Sequence, residues 1–254
     1  MVLPLFQSGI GVAITVLLSA GAVRYGALTL FAGVVATVFG SVIVILGGFP
    51  YLALLVLFVV ASVLATRFRF EDKKRKNVQE GTHGERGVAN VLAHVIVPTG
   101  LVVVGWAVPS RLPAATVAFL YTAALAFGAS DTFASEFGVL AGKARSLLTG
   151  KVVTPGTNGG VSALGEAWAF VGAFTTALIG GGLLYAFTQP APPVGTLLVG
   201  VTLAGFIGCQ LDSLLGETLE NRGYLTKGGT NLVAMFLTVL VAWGLLFALG
   251  AGPG

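Results

Sequence analysis

Long apolar runs joined by short polar segments make up most of the chain. A bilayer-crossing helix needs about 20 mostly apolar residues. Laid along the 254 residues, that ruler finds eight candidates: 3–23, 26–47, 51–66, 88–108, 113–136, 162–187, 195–219 and 230–250. The third is short, which points to a tilted or deformed span. Backbone inside hydrocarbon must satisfy its own hydrogen bonds, so helices are the spanning form this pattern allows. The expected fold class is an all-α polytopic membrane protein, one integral membrane domain over 1–254. It divides into N-terminal helices (1–66), a basic cytoplasmic loop (67–87) and a core (88–250). The first apolar run has no basic segment before it and reads as a span, not a cleaved signal peptide.

Composition agrees: 56% of residues are hydrophobic and 9% charged, with a mean hydropathy of +0.94, where soluble domains carry roughly a quarter charged residues. The single Cys209 excludes an internal disulfide framework and a thiolate metal cluster. The net charge of +4 gives no reason to invoke nucleic acid, because the basic residues sit in loops where topology accounts for them. The segment "RFRFEDKKRKNVQEGTHGER" (67–86) is the most basic. Placed in the cytoplasm, it puts thirteen of the fourteen Lys and Arg residues on that side and leaves Arg111 outside, beside the external turn "QPAPP" (189–193). Both termini then face outwards. The run "KKRK" (73–76) reads first as a topology signal or lipid-headgroup contact.

With that orientation the unusual polar residues converge on one face, and they repeat. "DTFASE" (131–136) and "DSLLGE" (212–217) share Asp, a hydroxyl, two apolar residues, a small residue and Glu. Each is followed by Gly-Thr-Asn after a basic loop: Gly156, Thr157 and Asn158 in one copy, Gly229, Thr230 and Asn231 in the other. The unit is a helical hairpin, at 113–187 and again at 195–250, in the same orientation. This is a parallel repeat with an expected pseudo-two-fold axis along the membrane normal, which would bring the two Asp–Glu pairs together.

Four carboxylates at an interface repel unless protons or cations intervene. Hard oxygen ligands beside Lys- and Arg-rich loops suit Mg²⁺ with a phosphorylated ligand. Asp131, Glu136, Asp212 and Glu217 are the expected metal ligands, around two ions, with Asp131 and Asp212 also counted as catalytic. Both Gly-Thr-Asn segments are expected at helix N-termini, where free N–H groups favour anions. Gly159, Gly160 and Ser162 can bring backbone close to phosphate oxygens, joined by the hydroxyls of Ser130, Thr132 and Ser213. Lys143, Arg145 and Lys151 supply charge, Lys151 also at the reacting phosphate. Arg86, Asn90 and His94, spaced i, i+4, i+8, share a helix face and are expected to meet a substrate phosphate, Arg86 as a catalytic clamp. Metal, N-terminal amides and basic residues are the parts that phosphoryl transfer needs. A cytidylyltransferase would use much the same site and release pyrophosphate. A secondary transporter is the alternative of another class, though its charged site should lie near the bilayer midplane.

"ASDTFASEFG", "PGTNGGVS" and "GCQLDSLLGETLE" resemble the signature blocks of the transmembrane-protein-19-like family, long a domain of unknown function, which includes the plant and cyanobacterial phytyl phosphate kinases. The resemblance runs from about Arg86 to the end of the eighth span. It implies a membrane kinase that moves the γ-phosphoryl of a nucleoside triphosphate, with CTP preferred, onto a polyprenyl monophosphate such as phytyl or geranylgeranyl phosphate. Carried over by position, Asp131, Glu136, Asn158, Asp212, Glu217 and Asn231 become its Mg²⁺–nucleotide residues. The order of residues over 131–160 is also similar to the nucleotide regions of dolichol kinases and CDP-diacylglycerol synthases. Chain length of the acceptor and oligomeric state, a homodimer included, are left open.

Overall fold

The computed structural model describes residues 4–187 and 193–250. Eight helices in it are long and apolar enough to cross a membrane: α1 (Leu5–Arg24), α2 (Leu30–Gly47), α3 (Phe49–Arg67), α5 (Val88–Ala107), α6 (Ala114–Gly138), α7 (Ala163–Phe187), α8 (Val194–Leu215) and α9 (Lys227–Ala248). A ninth, α4 (Phe70–Arg75), is a short helix in the basic loop. α8 runs on into a π-helical turn, Gly216–Glu220. The third span is neither short nor deformed. It reaches 19 residues because Pro50 falls in its first turn, where a missing N–H costs nothing. The expected turn at 189–193 lies outside the described residues except for Pro193, as do both chain ends.

α6 is the central pillar, packed against α3, α5, α7, α8 and α9. It is buried almost all the way round, from Thr116 to Ser130 without a break. Small residues let its neighbours come close: a Cβ on Gly172 of α7 would sit 2.7 Å from the Ala129 carbonyl oxygen, and one on Gly205 of α8 2.9 Å from Ala126. α1 packs against α2, and its outer face, including Leu5, Phe6 and Leu17, is exposed for lipid.

At one end of the bundle the loops knit together. The Arg86 N–H donates to the Ala27 carbonyl at 2.9 Å and the Thr29 N–H to the Arg86 carbonyl at 3.1 Å. The Lys76 ammonium donates to the Val139 carbonyl at 2.9 Å. Between α6 and α7 lies a feature absent from the sequence reading, a three-stranded antiparallel sheet of order β2-β1-β3: β1 (Ala144–Ser146), β2 (Val152–Val153) and β3 (Gly160–Val161). The spans are all-α as expected; this sheet belongs to the loop.

Candidate functional site

A polar cavity of about 340 Å³ opens at the knitted end. Five segments wall it: the C-terminal turns of α6 and of α8, the start of α9, the β2–β3 turn, and residues 77–80 of the basic loop. Asp131 and Asp212 both lie on it, close enough together for one amide to reach either carboxylate. Asn231, in the first turn of α9, fits between them. Its amide reaches Asp131 Oδ2 at 3.3 Å, and turned over it donates to Asp212 Oδ1 at 3.3 Å and to the Lys227 carbonyl at 2.9 Å. The expected meeting of the two repeat copies therefore occurs at their aspartates.

The two glutamates do something else. Five residues along a helix rotate the side chain by about 140° away from its starting direction, so each Glu leaves the face its Asp occupies. Glu136 accepts from Lys73 Nζ at 2.7 Å and from the Thr66 hydroxyl at 2.7 Å. Lys73 is fully buried and also donates to the carbonyls of Ala65 at 2.8 Å and Thr66 at 3.1 Å. The second residue-pair copy behaves alike: Glu217, in the π-turn, accepts from the Ser146 hydroxyl of β1 and from the Leu148 N–H at 3.2 Å. Each Asp thus faces the cavity and each Glu fastens a loop that walls it, Glu136 also lying on the cavity wall and Glu217 not. The four carboxylates are not gathered into one cluster, and among the described residues no group of three or more His, Cys, Asp and Glu is arranged to hold a metal. Lys73 is likewise no headgroup contact, because its ammonium is spent inside the protein on Glu136.

The two Gly-Thr-Asn segments also part company. Thr230 and Asn231 lie in the first turn of α9, capped by the Thr226 hydroxyl accepting from Gly229 N–H at 3.2 Å. Gly156, Thr157 and Asn158 do not open α7, which starts at Ala163. They form a turn between β2 and β3, because Gly156 (φ 93°) and Gly159 (φ 75°) take backbone conformations that no helix contains. That turn still lines the cavity with Gly160 and Ser162. Asn158 Nδ2 donates to Glu220 Oε1 of the π-turn at 2.9 Å. Turns of this kind in α-helices recur at functional sites.

Of the remaining expected residues, Ser213 lines the cavity. Ser130 and Thr132 are buried in the helix packing and do not. Lys143, Arg145 and Lys151 are exposed and do not line the cavity, Arg145 donating to the Gly150 carbonyl at 2.9 Å. Arg86, Asn90 and His94 do share a face, with Arg86 Nη1 3.0 Å from Asn90 Oδ1, but they line a second, apolar cavity. Burial pushes the Arg86 guanidinium below its ordinary value, against the pull of Glu80, Glu136 and Asp131. Sequence reasoning missed Glu80, Lys227, Glu166 and Glu220, all on the cavity wall. Lys227 Nζ lies 3.0 Å from Glu80 Oε2. Burial would raise the Glu80 carboxyl, but Lys227, and then Arg86, hold it below its ordinary value. The repeat carried no signal for Glu80, which lies outside it, or for Lys227, whose counterpart two residues before the first Gly-Thr-Asn is Thr154.

The profile of the family described as "Integral membrane protein DUF92" matches residues 13–243. This chain belongs to that family. It is 32% identical to an uncharacterised membrane protein of Methanocaldococcus jannaschii, over 78% of this chain and 77% of the relative. It is also 32% identical to an uncharacterised membrane protein of Synechocystis, over 79% and 75%, and to Protein PGR of Arabidopsis thaliana, over 70% and 67%. No solved structure matches it. DUF92 membership bears out the family resemblance read from the motifs and the multi-pass membrane character. All the residues that line the polar cavity fall inside the matched region.

Proposed function

We propose that this DUF92 protein is a membrane phosphotransferase that moves the γ-phosphoryl group of CTP onto a polyprenyl monophosphate. The observation that carries this reading is the pair Asp131 and Asp212, either of which the Asn231 amide reaches, on the wall of a polar cavity. Mg²⁺ takes one or two carboxylates from a protein and completes its shell with phosphate oxygens and water. Two aspartates and an amide fit that demand without the two glutamates. Asp131 and Asp212 would hold one or two Mg²⁺ ions, which when bound neutralise charge on the triphosphate.

The chain's own groups do the positioning. In the glycine turn the Thr157 and Gly160 N–H groups close the turn on Thr154 and Thr157, and those of Asn158 and Gly159 would serve phosphate oxygens, while Lys227 brings a cation to the rim. An oxygen of the acceptor's phosphate attacks the γ-phosphorus; the bond from that phosphorus to the β,γ-bridging oxygen breaks. CDP departs with the electron pair and the acceptor becomes a diphosphate. A phosphate monoester is mostly dianionic near neutral pH, so no side chain need act as a strong base. The cavity then faces the cytoplasm and both termini face outwards, in keeping with the charge asymmetry of the loops.

The test is turnover of CTP with geranylgeranyl or phytyl phosphate by the purified protein. CDP and a prenyl diphosphate are the expected products, whereas pyrophosphate would assign cytidylyl transfer instead. Unchanged turnover in Asp131→Asn would sink the metal assignment.

A further inference from the structure

The second cavity, about 150 Å³, lies among α1, α2, α3 and α5. Its walls are apolar, with Leu52, Leu55 and Val59 on one side and Val91 and Val95 on another. Its lining includes Leu18 of α1 and Val60 of α3, both exposed on the outer surface, so it opens sideways toward lipid. An apolar cavity of this size stays dry and takes hydrocarbon.

One region of its lining is not apolar. Arg86, His94 and Ser62 are buried, at 6%, 3% and 0% exposure, and each keeps a buried polar atom without a partner: Arg86 Nε, His94 Nε2 and Ser62 Oγ. Such atoms are costly unless something satisfies them. Among the described residues Arg86 hydrogen-bonds only neutral side chains, Asn90 Oδ1 at 3.0 Å and Thr66 Oγ1 at 3.4 Å, and its carboxylate neighbours Glu80, Glu136 and Asp131 act on it without a salt bridge. Pro98, one turn beyond His94, has no N–H to give the His94 carbonyl. His94 is fixed by stacking on Phe58 at 5.6 Å, with Gly128 of α6 leaving room for both rings.

We infer that this cleft binds a single-chain anionic lipid, its hydrocarbon between α1 and α3 and its phosphate accepting from Arg86 and Ser62, while His94, whose Nδ1–H donates to the Asn90 carbonyl at 2.8 Å, leaves Nε2 to accept from a P–OH of the headgroup. On the reading of the preceding section, on which this step rests, that lipid is the phosphoryl acceptor. Thr66 links the two cavities, since its hydroxyl touches both Arg86 and Glu136, and Asn90 Nδ2 reaches Glu80 at 3.4 Å. The acceptor's phosphate would therefore lie next to the nucleotide cavity.

The probe is a hexadecyl phosphate carrying a diazirine in its chain, photolysed with the full-length protein in phosphatidylcholine nanodiscs and mapped by mass spectrometry. Labelling is expected on 18–22, 52–62 and 91–95. Unlabelled hexadecyl phosphate should compete, whereas hexadecanol and inorganic phosphate at equal concentration should not. Arg86→Gln should raise the half-saturating probe concentration roughly 10- to 100-fold. Ala36→Phe, which fills the cleft from α2, should remove these labels, and Val95→Phe does the same from the opposite wall should the first variant fail to fold. Labels scattered over lipid-facing residues and indifferent to both kinds of variant overturn the proposal, as does full competition by inorganic phosphate alone. Specific labelling without CDP formation overturns the phosphotransfer reading and keeps the lipid site. CDP formation indifferent to Ala36→Phe does the reverse.

Discussion

Asn231 at the head of α9 reaches Asp131 on α6 at 3.3 Å, and the same amide, turned over, reaches Asp212 on α8 at the same distance. Three helices thus meet at one amide. Neither aspartate has a salt bridge to a lysine or arginine among the described residues, and like charges held together cost stability. Asp131→Asn is therefore expected to raise thermal stability in metal-free buffer, by about 0.5–2 kcal/mol, while lowering turnover roughly a hundredfold or more. Adding Mg²⁺ should raise the melting temperature of the unaltered protein and leave that of the variant almost unmoved. Differential scanning fluorimetry in detergent, with and without Mg²⁺, reads both effects.

The Lys73–Glu136 pair should behave in the opposite way. Removing one partner strands a buried charge, so Lys73→Met or Glu136→Gln alone should cost about 3–5 kcal/mol. The double variant should recover most of that loss, because neither charge then remains. A double-mutant cycle on unfolding in detergent measures this; additive losses would contradict the pairing.

Gly159 is expected to be intolerant of any side chain. Its φ of 75° strains an L-residue, and a Cβ there would overlap the side chain of Glu217. Gly159→Ala should cost about 1–3 kcal/mol locally. It should loosen the β2–β3 turn, seen as faster proteolysis between 147 and 160, and weaken nucleotide binding more than it slows transfer at saturation.

The Glu80–Lys227 contact sets a pH dependence. Glu80 titrates below its ordinary value of 4.5. A depressed carboxylate contributes stability that is complete above the unfolded value and lost as pH falls through the folded one. Hydrogen exchange over 76–82 should hence be flat from pH 8 to 5, apart from the intrinsic rate, and accelerate below about 4.5. The Lys227 side chain is 66% exposed, so the pair contributes less than about 1 kcal/mol. Glu80→Gln should abolish the acid-side change.

The spans were readable because bilayer thickness imposes one length and one kind of residue on all of them. The aspartates were readable because duplication marked them twice. The glutamates were marked just as clearly, but spacing alone does not tell a ligand from a fastening, and only the partners of Glu136 and Glu217 distinguish them. The β-sheet escaped notice because its strands are two or three residues long, too short for any periodicity to register. Lys73 was hidden in a basic run whose other members are solvated. Its burial depends on a residue far along the chain, and no local pattern encodes that.

That distance bears on how the protein is made. Lys73 precedes Glu136 by 63 residues, a gap of roughly 3–13 s at ordinary rates of chain elongation. A lone ammonium cannot stay out of water for that interval. The basic loop must wait undocked at the membrane surface until the translocon releases α6, and only then close over the cavity. Assembly of the site is in this way a late step in biogenesis, timed by the arrival of one carboxylate.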